Sequence, residues 1–119
     1  MAIVEGPPIA VGYPYRLRVS LSDPDGGTAA ALFPSGSELR ATVRKTRTDT
    51  ASVGDLTTGN GGLVRVSDSE IDIVMTAALT GALTAGGKAH LDIARTDPAP
   101  DEYVGVYLAI PVHQPVTRP

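Results

Sequence analysis

Tyr15-Arg16-Leu17-Arg18-Val19-Ser20-Leu21-Ser22 runs directly into Asp23-Pro24-Asp25-Gly26-Gly27. Leu17, Val19 and Leu21 alternate with Arg16, Arg18, Ser20 and Ser22. Successive side chains of a strand point to opposite faces, so this octapeptide predicts a strand with one apolar and one polar face. The segment after it has turn chemistry. Proline presets φ, aspartate bonds its local backbone, and glycine supplies positive φ.

The same pattern recurs along the chain. In Glu38 to Arg47, Leu39, Ala41 and Val43 alternate with Arg40, Thr42 and Arg44. Leu63 to Val66 and Ser69 to Met75 read as two strands joined by a tight turn near Asp68, with Ile71, Ile73 and Met75 inward and Glu70 and Asp72 outward. Lys88 to Arg95 places Leu91 and Ile93 inward, His90 and Asp92 outward. Tyr103 to Val112 places Val104, Val106, Leu108 and Ile110 on one face. Thr28 to Phe33 fits either a short strand or an irregular connection. Thr48 to Gly62 is polar and ends in Gly59-Asn60-Gly61-Gly62, so it is expected to be a loop. Thr76 to Leu83, rich in Ala and Leu, predicts one or two helical turns capped by Thr76 and closed by Gly86-Gly87. Pro111 and Pro115 are expected to end regular pairing.

Short strands at this spacing predict an all-β, immunoglobulin-like antiparallel β-sandwich of about seven strands with one helical turn. With 119 residues the chain is one domain, long enough to bury roughly two-thirds of its unfolded surface. Residues 1–14 and 111–119 are Pro-rich and predict extended arms on that domain. The arginines at 16, 18, 40 and 44 are expected to face Glu70, Asp72 and Asp92 as exposed pairs, each contributing about 0.2–1 kcal/mol.

Composition bounds the function. The absence of cysteine removes disulfides and thiolate metal sites. A net charge of −3 argues against nucleic acid and against a polybasic membrane surface as partners. No apolar run approaches the roughly 20 residues that span a bilayer, and the N-terminus lacks the pattern of a secretory signal.

Candidate sites are sparse. Asp23-Pro24-Asp25-Gly26-Gly27 lacks the further ligands of a calcium loop. His90 and His113 are the only histidines and form no close pair, so no zinc set is expected. No G-x-S-x-G elbow occurs. Carboxylate pairs such as Glu70/Asp72 and Asp97/Asp101 read as solvated surface. No catalytic, metal or cofactor-binding residue is therefore assigned, and the chain reads as a non-catalytic protein. Protein-interface candidates are Tyr13, Tyr15, Tyr107, Asn60, Val112, His113, Val116 and Arg118: aromatics suited to interface centres, a loop tip and the C-terminal arm.

The order Leu39-Arg40-Ala41-Thr42-Val43-Arg44, a Gly-rich break, Ile71-Asp72-Ile73-Val74-Met75-Thr76, Ala85-Gly86-Gly87-Lys88, Leu91-Asp92-Ile93-Ala94-Arg95, Val104-Gly105-Val106-Tyr107-Leu108 and Pro115-Val116-Thr117-Arg118 resembles the small immunoglobulin-like structural proteins of tailed bacteriophage particles. It is similar to the N-terminal domain of upper baseplate proteins, without a receptor-binding domain after it. The resemblance implies a virion protein, made and assembled in the host cytoplasm. It would dock on other virion proteins of the tail, baseplate, neck or capsid, within a symmetric oligomer. The alternatives are a capsid decoration protein and a carbohydrate-binding or adhesin-type module, the latter predicting glycan binding lost on Tyr107→Ala. On the docking reading, deleting 111–119 is expected to weaken assembly and spare the fold.

Overall fold

A computed structural model describes residues 2–4, 7–20, 33, 35–48, 50–67, 69–97 and 100–117. The elements are β1 (Ala2–Val4), β2 (Ile9–Ala10), β3 (Tyr15–Ser20), β4 (Leu39–Val43), β5 (Gly54–Thr57), β6 (Leu63–Ser67), β7 (Glu70–Met75), α1 (Ala77–Gly81), β8 (Lys88–Arg95) and β9 (Glu102–His113). They form a mostly β domain with one short helix. Six strands make a mixed, curled half-barrel sheet in the order β1-β9-β8-β4-β5, with β2 also on β9, and three make a small antiparallel sheet, β3-β7-β6.

The alternating patterns set the register. In β3 and β4 every apolar residue is buried, and in β7 Ile71, Ile73 and Met75 are fully buried. Leu17 lies opposite Ile73 and Val19 opposite Ile71. From the larger sheet, Leu39, Val43, Leu91, Ile93, Leu108 and Ile110 complete the core, with Phe33 fully buried among the core residues. Phe33 is tied to β6, where Arg65 Nε donates to its carbonyl at 2.6 Å.

The helical expectation is met at its start and not at its end. The Thr76 hydroxyl accepts from Leu79 N at 3.2 Å, but α1 ends at Gly81, with Ala82 as its cap. Gly86, at φ +86°, serves the turn into β8 instead, and its N–H donates to Val112 O. The buried Thr80 hydroxyl donates to Tyr13 O at 2.8 Å, fixing the helix to the β2–β3 turn.

The segment 48–62 is not all loop. Gly54–Thr57 forms β5, antiparallel to β4, with Leu56 buried. One apolar residue among Gly, Asp and Thr gives no alternation to read, yet a short polar strand suits a sheet edge.

The sandwich was expected to be antiparallel throughout, with residues 1–14 as an arm. In the structure β1 and β2 run parallel to β9, pairing Ala2 with Val106 and Ile9 with Val112. Ile9 is fully buried. Nor does pairing stop at Pro111, which lies opposite Lys88. Val112 uses both its N–H and its carbonyl toward the Gly86–Gly87 side, so the N–H that Pro111 lacks would face the other edge. There β1 has ended opposite Leu108 and β2 begins opposite Val112. Proline is tolerated where no ladder bond is forfeited. The turn at 23–27, residues 28–32 of the Thr28–Phe33 segment, and the turn at Asp68 lie outside the described residues.

Candidate functional site

The outward positions of β4, β8 and β9 bring an unforeseen cluster together. Arg44 follows β4 and forms a paired backbone bridge with His90 of β8, with N···O distances of 2.9 and 2.8 Å. β8 and β9 are antiparallel neighbours, with Asp92 opposite Tyr107 and His90 opposite Ala109. His90 and Tyr107 are therefore diagonal neighbours on one face, close enough for long side chains to meet. His90 Nδ1 is hydrogen-bonded to the Tyr107 hydroxyl. The two rings lie nearly parallel, 17° apart, with centroids at 6.0 Å. The Arg47 guanidinium carbon stands 4.5 Å from the Tyr107 ring centroid. A cation over an aromatic face is attracted to the ring's negative quadrupole. Thr42, Arg44, Arg47, His90, Asp92 and Tyr107 line a shallow depression of about 160 Å³.

The electrostatics are positive on one side. His90 is held below its ordinary pKa, first by partial burial and then by the charges of Lys88 and Arg47. Asp92 is exposed at the rim. The Thr42 hydroxyl donates to Asp55 Oδ1 at 2.8 Å.

On the small sheet's outer face, Asp72 departs from expectation. It pairs with Arg16 and Arg18, but not as a fully exposed pair. Its side chain is 2% exposed, while the arginine side chains are 63% and 56% exposed. Arg16 donates at 3.1 and 2.7 Å and Arg18 at 2.8 and 3.2 Å. These bonds hold the Asp72 carboxyl down at about 2, Arg18 contributing most and Arg16 next, against the opposing effect of burial. The other expected pairings are redistributed. Arg40 meets Asp101 at 3.3 Å, the Arg44 guanidinium donates to Thr50 O at 3.0 Å, and Glu70 accepts from Ser20 and Ser67.

The sequence-derived interface residues scatter. Tyr15 is buried, with its hydroxyl donating to Pro7 O at 2.7 Å, and burial pushes its pKa up to about 12. Val112 is also buried. Both face the core as inward residues of β3 and β9, so neither offers a side chain to a partner. Tyr13 is half-buried and donates to Thr117 O at 2.7 Å, tying the C-terminal segment to the β2–β3 turn. Asn60 is exposed but engaged: its Oδ1 accepts from Thr57 N and Gly62 N, and its Nδ2 donates to Asp55 O. His113 is exposed and Val116 fully so. Arg118 lies outside the described residues. Of the named residues only Tyr107 belongs to the cluster. His90 and Arg47 were missed. The outward position of His90 was visible in the alternation, but its meeting with Tyr107 depends on the β8–β9 register.

Among the described residues no group of three or more His, Cys, Asp or Glu side chains is placed to hold a metal ion, and no helix is long and apolar enough to cross a membrane. The chain matches no protein-family model and no curated protein sequence.

Proposed function

We propose that this chain is a non-catalytic structural protein of a tailed-bacteriophage particle, an immunoglobulin-like sandwich that docks on a larger assembly as a tail, baseplate or fibre adaptor. Strand order supports the sandwich part of this reading, and the virion role rests on the sequence resemblance. The order β5-β4-β8-β9 beside β3-β7-β6 parallels the C′-C-F-G and B-E-D orders of variable-type immunoglobulin sandwiches. In that arrangement β1 and β2 hold the far edge of β9. The outer face of the larger sheet suits docking, because its polar surface has a Tyr-Arg centre of the kind enriched in protein interfaces. The carbohydrate-binding alternative requires an open aromatic platform, and the Tyr107 ring already carries Arg47 on one side.

Mass spectrometry of purified particles, with copy number measured against the major capsid protein, tests the proposal. A few to about two dozen copies, as ring symmetry allows, support the adaptor. Copies in the hundreds replace it with a capsid decoration protein. Absence from particles rejects the virion reading. Glycan binding by the isolated domain that is lost in Tyr107→Ala would favour the carbohydrate module.

A further inference from the structure

We propose that Arg44 and Arg47, around the His90–Tyr107 pair, form a receptor for carboxylate side chains of an acidic segment on a partner protein. The argument begins with how this fold uses its other arginines. Arg16 and Arg18 share Asp72, Arg40 meets Asp101, and Arg95 meets Asp97 at 2.6 Å. Arg44 and Arg47 line the same depression, and neither forms an ion pair among the described residues. Arg44 spends one N–H on Thr50 O, and Arg47 rests on Tyr107. Most of their donors therefore face water.

The site is preorganised. The paired backbone bridge between Arg44 and His90 holds the end of β4 against β8. The hydrogen bond between His90 Nδ1 and the Tyr107 hydroxyl fixes both rings, and Tyr107 in turn orients Arg47. When His90 accepts at Nδ1 from the Tyr107 hydroxyl, or is protonated and donates there, its Nε2 carries a proton; the neutral tautomer that donates from Nδ1 leaves Nε2 an acceptor. The depression thus gathers two guanidinium forks beside an imidazole ring in a chain whose net charge is −3. Planar forks match the two oxygens of a carboxylate. Asp92 at the rim sets the charge class. It opposes a doubly charged phosphate more than a singly charged carboxylate.

This inference rests on the docking reading only for the partner's being a protein of the assembly; the carboxylate chemistry is tested on the isolated domain. Isotope-labelled protein is titrated with hexaglutamate at constant ionic strength, following the Tyr107 and His90 ring resonances by NMR. Saturable shifts at both rings are expected, weakened about tenfold in Arg44→Gln and in Arg47→Gln, the scale of one lost charge-assisted hydrogen bond. Arg40→Gln, on the same face but paired with Asp101, is expected to bind like the parent, and Asp92→Asn more tightly. Shifts that do not saturate, or that persist unchanged in both arginine variants, overturn the proposal. So does tighter binding of inorganic phosphate or of single-stranded oligothymidylate than of hexaglutamate. A negative titration leaves the particle measurement standing. Absence from particles leaves a carboxylate site with a different host assembly.

Discussion

Replacing Asp72 by asparagine keeps the shape of the side chain and removes its charge. In the parent, Asp72 is nearly inaccessible and accepts four hydrogen bonds from two arginines. Its carboxyl is lowered from 3.8 to about 2. At about 1.4 kcal/mol per pH unit that sets a ceiling of about 2.5 kcal/mol on the charge's contribution to folding. Both arginine side chains are more than half in water, and screening by solvent reduces the figure to about 1 kcal/mol. The sign follows from linkage. A carboxyl whose pKa is depressed by folding stabilises the folded state above its unfolded value, and that stabilisation is lost as pH falls through the folded value. The parent should therefore exceed Asp72→Asn by about 1 kcal/mol in urea unfolding at pH 7, with the gap closing between about pH 5 and pH 2. Asp101→Asn, whose ion pair is half-exposed on both sides, should fall within about 0.5 kcal/mol of the parent. A gap for Asp72→Asn that is absent at pH 7, or that stays constant down to pH 2, would refute this account.

Other outcomes follow from equally local features. A Cβ at Gly62 would stand 2.8 Å from the Leu56 Cα, a backbone atom, so Gly62→Ala should lower unfolding stability by about 1–3 kcal/mol in a denaturant titration. In a spectrophotometric titration of the folded protein, one phenol should ionise near 12, and Tyr15→Phe should remove that step. Because burial raises this pKa, the unfolded chain ionises first, and stability should fall between about pH 10 and pH 12. Truncation after Val112 or earlier strips β9 of residues paired with β2, whereas truncation after His113 preserves them. The longer chain should show cooperative thermal unfolding by circular dichroism, and a chain ending at Ile110 should be markedly less stable, against the expectation that deleting 111–119 spares the fold, because Val112 is buried and paired with Ile9.

Much of the core was legible because burial repeats at the period of a strand. Leu17 and Val19, Leu39 to Val43, and Ile71 to Met75 announced both their conformation and their inward face. Thr76 announced a cap. β5 was not legible, since Leu56 alone carries its burial. The burial of Asp72 was hidden for a different reason: its position faces outward, and its shielding comes from two long arginine side chains whose apolar stems can cover a surface while their heads stay wet. Two short stretches at the N-terminus read as an arm because their pairing partner is roughly a hundred residues away, and no local pattern encodes a parallel edge. The Arg47–Tyr107–His90 cluster was readable only as separate outward residues. Hairpin register and the path after Arg44 brought them together.

The parallel pairing of β1 and β2 with β9 also determines how the domain bears load. In parallel strands, drawing the chain's beginning and its end apart slides one strand along the other, so the bonds between them are strained together rather than peeled one at a time. A domain held at both ends would meet tension in its stiffest direction. Force applied across the sheet, by contrast, would open the edge strand β5 bond by bond.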